Sequence, residues 1–242
     1  MLTAAVQPNR IQTGGTMRIR AERAKRYPDR REAGRTLVSH LQAYAGRDDT
    51  LVLGLPRGGV PVAAAVADGL DLPMDVVLVR KIGVPGHAEV AMGAMASVAG
   101  HQVTVRNEDV LSRYLADFGR RAAFDDVAAR ERAELERREQ LYRSGREPPA
   151  VAGRTVIVVD DGLATGATMR AAVAVLRELD PARVVVAVPV GLGHTCELLR
   201  RQADEVVCPW VPKDFVAVGQ AYEIFDQTSD EEVIGLLAGH RH

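Results

Sequence analysis

The stretch Thr155–Met169, TVIVVDDGLATGATM, decides the fold. Its first five residues are β-branched with no polar alternation, the pattern of a strand buried on both faces of a parallel sheet. Asp160 and Asp161 follow at the strand's carboxyl end, then the loop Gly162-Leu163-Ala164-Thr165-Gly166-Ala167-Thr168, then an apolar-periodic run from Met169 to Leu179 that predicts a helix. Adjacent acids after an apolar strand do not belong to a core. Small residues at a helix start leave backbone N–H groups and the positive end of the dipole free for an anion, so the loop predicts a phosphate cradle. A Walker loop is excluded because Ala167 stands where it requires lysine, and the GxGxxG dinucleotide fingerprint is absent. An ordinary strand-loop-helix corner with an N-cap threonine rarely needs two adjacent acids.

These residues resemble the signature by which type I phosphoribosyltransferases bind phosphoribosyl pyrophosphate (PRPP): a hydrophobic strand, two acids, small residues, then Thr-Gly-x-Thr. The resemblance covers roughly Thr50 to Phe225. It implies an α/β fold with a central parallel sheet flanked by helices, a flexible lid and a C-terminal hood. It further implies that Asp160 and Asp161 hold the ribose hydroxyls and, through PRPP and water, Mg2+, while the Gly162 to Thr168 loop holds the 5-phosphate.

Composition narrows the partners. A chain of 242 residues, 47% hydrophobic, can bury one substantial core. With 31 basic and 32 acidic residues the net charge is −1, which offers no general attraction to nucleic acid or to a membrane and leaves a small molecule as the expected partner. Cys196 and Cys208 have neither the number of a disulfide framework nor CxxC spacing, which suits a reducing cytoplasm and no structural zinc. No apolar run has the length to span a bilayer. Residues 1–17 are expected to be disordered ahead of a single domain at 18–242, with Met17 as an alternative start. Oligomeric state has no signal in the sequence, and a homo-oligomer stays open.

A helix is expected from about Arg30 to Ala45, with Asp29 as its N-cap. Thr50–Leu55 reads as a second buried strand, followed by Pro56-Arg57-Gly58-Gly59 and an Ala/Val-rich helix to Leu70. Paired glycines admit an anion that a Cβ would block, and Arg57 offers a fork for phosphate oxygens; by the resemblance, this loop grips the pyrophosphate. Met74–Val79 reads as a third strand ending in Arg80-Lys81, which a parallel sheet would bring to the same rim as Arg57, Asp160 and Asp161. The plain alternative for Arg80 and Lys81 is a solvated strand end. Ile82–Ser97 reads as a mobile loop leading into a strand or hairpin, and the resemblance places a lid at about 82–106, with His87 and Glu89 as its titratable candidates. The missing P-C-x-x-C excludes a zinc deaminase.

Asn107 is expected to cap a helical insertion at about 107–147, broken near Gly119, whose RERAELERREQLYR segment pairs opposite charges at helical spacing along a solvated face. Arg183–Val190 and Glu205–Cys208 complete the strands, with a helix at His194–Gln202 between them. The segment 209–242, read as the hood, concentrates Trp210, Phe215, Tyr222 and Phe225 in a chain that is only 4% aromatic. By the resemblance, Phe215 and Val216 pack on the acceptor base, with Tyr222 as a further candidate; otherwise these aromatics anchor a terminal helix at Asp230–Ala238. The expected activity is transfer of the phosphoribosyl group to an acceptor nitrogen with Mg2+, Arg57, Arg80, Lys81 and the two acids carrying the chemistry. A regulator that binds PRPP without catalysis is the alternative.

Overall fold

A computed structural model describes residues 26–98, 101–107, 109–113, 121–143, 147 and 149–240. The expectations for residues 1–17 and for a break near Gly119 lie outside the described residues, as does the stretch 144–146 near the end of the expected helical insertion. Five parallel strands form the central sheet: β1 (Thr50–Gly54), β2 (Met74–Val76), β6 (Thr155–Val159), β7 (Arg183–Ala187) and β8 (Glu205–Val207), in the order β2-β1-β6-β7-β8. Every residue of β1 and β6 is buried, as their unbroken apolar runs require.

Alternate residues of these strands feed two cores. Val52, Ile157, Val159 and Val185 face α1 (Arg30–His40) and α2 (Gly59–Leu70), whereas Leu51, Leu53, Val156 and Val158 face α4 (Ala167–Arg177) and α5 (Gly193–Leu199). Asp29 caps α1 as expected, its Oδ1 accepting from Glu32 N at 2.9 Å. The register pairs Gly54 with Val159, so the loops that leave β1 and β6 start side by side. That adjacency builds the site.

Met74–Val79 is not one strand. Its pairing partner β1 ends at Gly54, opposite Val76, and the chain then leaves the central sheet. It continues as β3 (Leu78–Val84) in a separate antiparallel sheet with β4 (His87–Val98) and β5 (His101–Arg106). Arg80 and Lys81 therefore lie within β3, opposite Met95 and Ala94, and not at the carboxyl rim of the central sheet. The interval expected to be a mobile loop leading into a strand or hairpin is part of this sheet, turning at Pro85-Gly86 with Gly86 at φ +81°. It packs against α4 and against α3 (Arg121–Arg143).

Helix α3 is solvated on one face only. Arg137 and Arg138 pair with Glu134 at 2.8 and 2.7 Å, while Phe124, Ala128, Leu135 and Tyr142 enter the core. Asn107 caps a short helical segment, its Oδ1 accepting from Val110 N at 3.2 Å. After β8 the chain crosses back over the site through a 3-10 turn at Val218–Ala221 and ends in α6 (Asp230–Gly239), which packs on α2 and α3. Among the described residues no helix is long and apolar enough to cross a membrane.

Candidate active site

Two glycines set how closely the loops meet. A Cβ on Gly58 would lie 2.2 Å from Asp161 Oδ2, and one on Gly59 would lie 2.7 Å from Val159 O and 2.8 Å from Asp160 Cα. These contacts are impossible for a real side chain, so the Arg57 loop rests directly on the two acids. The Gly59 amide does not wait for an anion: it donates to Leu55 O at 3.0 Å as α2 begins.

The acids differ in their surroundings. Asp161 Oδ2 accepts from Arg30 Nε at 2.9 Å, with both side chains largely buried. Arg30 also donates from Nη1 to Asp226 O at 2.7 Å, and its guanidinium lies 3.9 Å from the centre of the Phe225 ring. Tyr222 donates its hydroxyl to Asp161 O. Asp160 accepts only from Asp161 N, at 2.9 Å, and has no ion-pair partner among the described residues. Burial, then the neighbouring Asp161 charge, push the Asp160 carboxyl well above the usual range. Burial also raises Asp161, with Arg30 opposing it.

Raised carboxyl pKa values mean that the folded chain binds protons more tightly than the unfolded one. Their contribution to stability is therefore greatest at low pH and falls as pH rises from the unfolded value of 3.8 through the raised folded values. Asp160→Asn removes a buried charge yet keeps an acceptor for Asp161 N. It should stabilise the fold by about 0.5 to 2 kcal/mol at neutral pH. Urea denaturation of both proteins at pH 7.5 and pH 4.5 checks this, and a gain at pH 7.5 no larger than at pH 4.5 would refute it.

The loop after the acids is held from behind. Leu163 is buried, its N–H donates to Val190 O and its carbonyl accepts from Leu192 N, both at 2.9 Å. Thr195 Oγ1 donates to Ala164 O at 2.8 Å. Leu163 is thus an anchor, contrary to its inclusion in the phosphate contacts, and the exposed cradle is Thr165, Ala167 and Thr168 with partly exposed Ala164. Gly166 is left-handed, φ +70°, and a Cβ there would meet Thr195 Cγ2 at 2.4 Å. It is the N-cap of α4, so the loop presents a helix start.

Other expected residues are placed differently. Arg57 Nη1 lies 3.9 Å from Asp230 Oδ1, and that carboxylate also accepts from Tyr142. Arg80 Nε is bonded to Glu131 Oε2 of α3 at 2.6 Å, because β3 runs beneath that helix. Lys81 is exposed and shares with Ala167, Arg170 and Arg106 a groove of about 650 Å³ between the antiparallel sheet and α4. His87 is exposed at the start of β4, and the Glu89 side chain lies outside the described residues.

The tail aromatics form a cluster rather than a free platform. Phe215, 8% exposed, and Tyr222, 2% exposed, pack with Ala33, Val190 and Ala221. Tyr27 stands edge-on to Trp210 at 5.8 Å, and Tyr222 stacks on Phe225 at 5.1 Å. Val216 is 81% exposed. Phe215 and Tyr222 therefore have their rings committed to this cluster, and Phe225, 38% exposed, is the more accessible aromatic. Backbone bonds from Tyr27 N to Ala221 O and from Glu223 N to Tyr27 O, both 2.8 Å, tie the chain before α1 to this segment.

The matched sequence and the geometry now agree on a family. A model described as the phosphoribosyl transferase domain matches residues 25–224, from the segment beside Tyr27 through Tyr222 of the aromatic cluster. The chain belongs to the type I phosphoribosyltransferase family. It is 45% identical over 213 residues to a Mycobacterium tuberculosis protein named as a phosphoribosyl transferase, a match that covers 88% of this chain and 46% of that protein. The chain thus spans about half the length of the curated relatives it matches. The crystal structure of TT1426 from Thermus thermophilus is 43% identical, with a TM-score of 0.77, and the match covers 90% of this chain and 100% of that one. The bifunctional protein PyrR of Chloroflexus aurantiacus is 37% identical over 124 residues, 50% of this chain and 58% of its own length.

Sequence reasoning missed Arg30, Tyr142, Asp230 and Thr195. Arg30 is the first residue of α1, in a segment crowded with charges, and only the return of the tail over that helix start distinguishes it.

Proposed function

We propose that this phosphoribosyltransferase transfers the phosphoribosyl group of PRPP to an acceptor nitrogen of a nucleobase and releases pyrophosphate. The observation that carries this reading is the seating of the Arg57 loop on Asp160 and Asp161 beside a helix-start cradle. One ligand with a diol, a diphosphate and a distant phosphate would use all three. Exposed Thr165 and Thr168 with the Ala164 to Thr168 amides would take the 5-phosphate, and Asp160 and Asp161 the ribose hydroxyls.

The barrier is heterolysis of the bond from C1 to the diphosphate oxygen, so charge must be stabilised on the leaving side. Arg57 and the Gly58 amide would serve there. Asp230 holds the Arg57 guanidinium close by and would exchange it for the diphosphate. Arg80 would enter only by giving up Glu131, and Lys81 only by reaching along the groove it shares with Ala167. The two carboxylates offer hard oxygen donors, and the lack of an ion-pair partner on Asp160 among the described residues fits a divalent cation such as Mg2+. Bound through PRPP and water, Mg2+ would supply further positive charge to the leaving group. Val216 and Phe225 are the exposed apolar side chains of the tail best suited to an acceptor's face. A reducing cytoplasm is the expected setting.

The test is pyrophosphate release from PRPP across a panel of purines, pyrimidines and amines. Acceptor-dependent release is expected with at least one base. Release without acceptor would make the protein a hydrolase. Binding without release for any acceptor would make it a PRPP-sensing regulator.

A further inference from the structure

Two thiols stand behind the phosphate cradle and take no part in the chemistry above. Cys196 is buried in α5, and Cys208, half-buried, follows β8. Both sulfurs converge on Gly191, 3.2 and 3.3 Å from the point its Cβ would occupy. Cys208 Sγ donates to Trp210 O at 3.4 Å, and the Gly191 amide donates to the same carbonyl at 3.1 Å. Gly191 in turn bridges to Leu163. Thr195, which holds Ala164 and closes over Gly166, is the residue next to Cys196. The thiol pair is therefore one residue away from the Thr195 anchor and in contact with the glycine that bridges to Leu163. The two thiols act on each other: the neighbouring Cys208 thiol lowers Cys196 from the usual thiol range, whereas the Cys196 interaction and burial raise Cys208.

We propose that Cys196 and Cys208 are a dithiol modification site, oxidised by a hydroperoxide to a disulfide that loosens the Gly162 to Thr168 loop. The Cys196 thiolate attacks one peroxide oxygen, the O–O bond breaks, and Cys196 becomes a sulfenic acid as hydroxide leaves. The Cys208 sulfur, losing its proton, then attacks Cys196 Sγ, and the S–O bond breaks with departure of water. In sum, two thiols and one hydrogen peroxide give one disulfide and two waters. Drawing the sulfurs to a bonded distance of about 2.05 Å pulls α5 towards the end of β8. Thr195 moves with α5, so its grip on Ala164 and its packing over Gly166 are lost.

The experiment treats the reduced full chain with hydrogen peroxide at small molar excess, then alkylates free thiols and maps peptides by mass. A linked peptide containing Cys196 and Cys208, two hydrogens lighter than the dithiol, is expected, and Cys208→Ser should leave no such link. Cys196→Ser provides the same control from the buried side. Hydrogen exchange of the oxidised chain should show amides from Leu163 to Thr168 exchanging about fivefold or more faster, restored by dithiothreitol. Both thiols still alkylated, sulfinic or sulfonic acid in place of the link, links only between chains, or a disulfide with unchanged loop exchange would each overturn the proposal. Neither readout uses PRPP, so the result stands apart from the identity of the substrate.

Discussion

Replacing Arg30 by methionine is expected to lower stability by about 3 to 5 kcal/mol, because it leaves the Asp161 carboxylate without its cation. The two side chains are 12% and 14% exposed, so water cannot readily take the guanidinium's place. In a chain of 242 residues this corresponds to a fall in melting temperature of roughly 6 to 20 °C. Lysine should recover only part of the loss, since an ammonium lacks the planar fork that bonds Asp161 and Asp226 O together beside the Phe225 ring. The deficit should also shrink in acid, where Asp161 protonates in both proteins and the pair no longer exists. Scanning calorimetry from pH 4 to pH 8 measures all three effects. A methionine variant melting within about 2 °C of the parent at pH 7 would show that the pair is not what joins α1, the acids and the tail.

Saturating PRPP with Mg2+ is expected to raise the melting temperature by about 5 to 11 °C. At a hundredfold excess over its dissociation constant a ligand adds about 2.7 kcal/mol by mass action, and each kcal/mol moves a chain of this size by roughly 2 to 4 °C. Ribose 5-phosphate should give a smaller shift, because it fills the cradle without reaching Arg57. Arg57→Ala should reduce the PRPP shift towards that value, and chelation of the metal should do likewise. Its ion pair with Asp230, 3.9 Å long and a third exposed on each side, contributes little to stability, so the variant reports on binding. Gly166→Val should abolish the shift for both ligands, since valine resists φ +70° and would collide with Thr195. An unmoved melting curve with PRPP and Mg2+ in the parent protein would remove both the transferase and the regulator readings.

The sequence by itself determined the buried strands β1 and β6 and the two loops that leave their carboxyl ends. Buried parallel strands leave their signature in consecutive residues, and the TVIVVDD and TLVLGLPRGG segments each contain a strand, its end and its loop without a gap. Local spacing also carried the Asp29 cap, the Asn107 cap and the paired charges of α3. Only the tertiary structure decided which partners those residues have. Arg80 and Lys81 follow an apolar run that reads as one strand, yet pairing ends where β1 ends, and the chain crosses into another sheet. The family resemblance assigns Phe215 to the acceptor base, with Tyr222 as a further candidate, but the tail folds over Tyr27 and consumes their area in its own small core. Arg30 lies 131 positions from Asp161, and Tyr142 lies 88 from Asp230. Such contacts follow from how the elements pack, and no periodicity within a strand or helix encodes them.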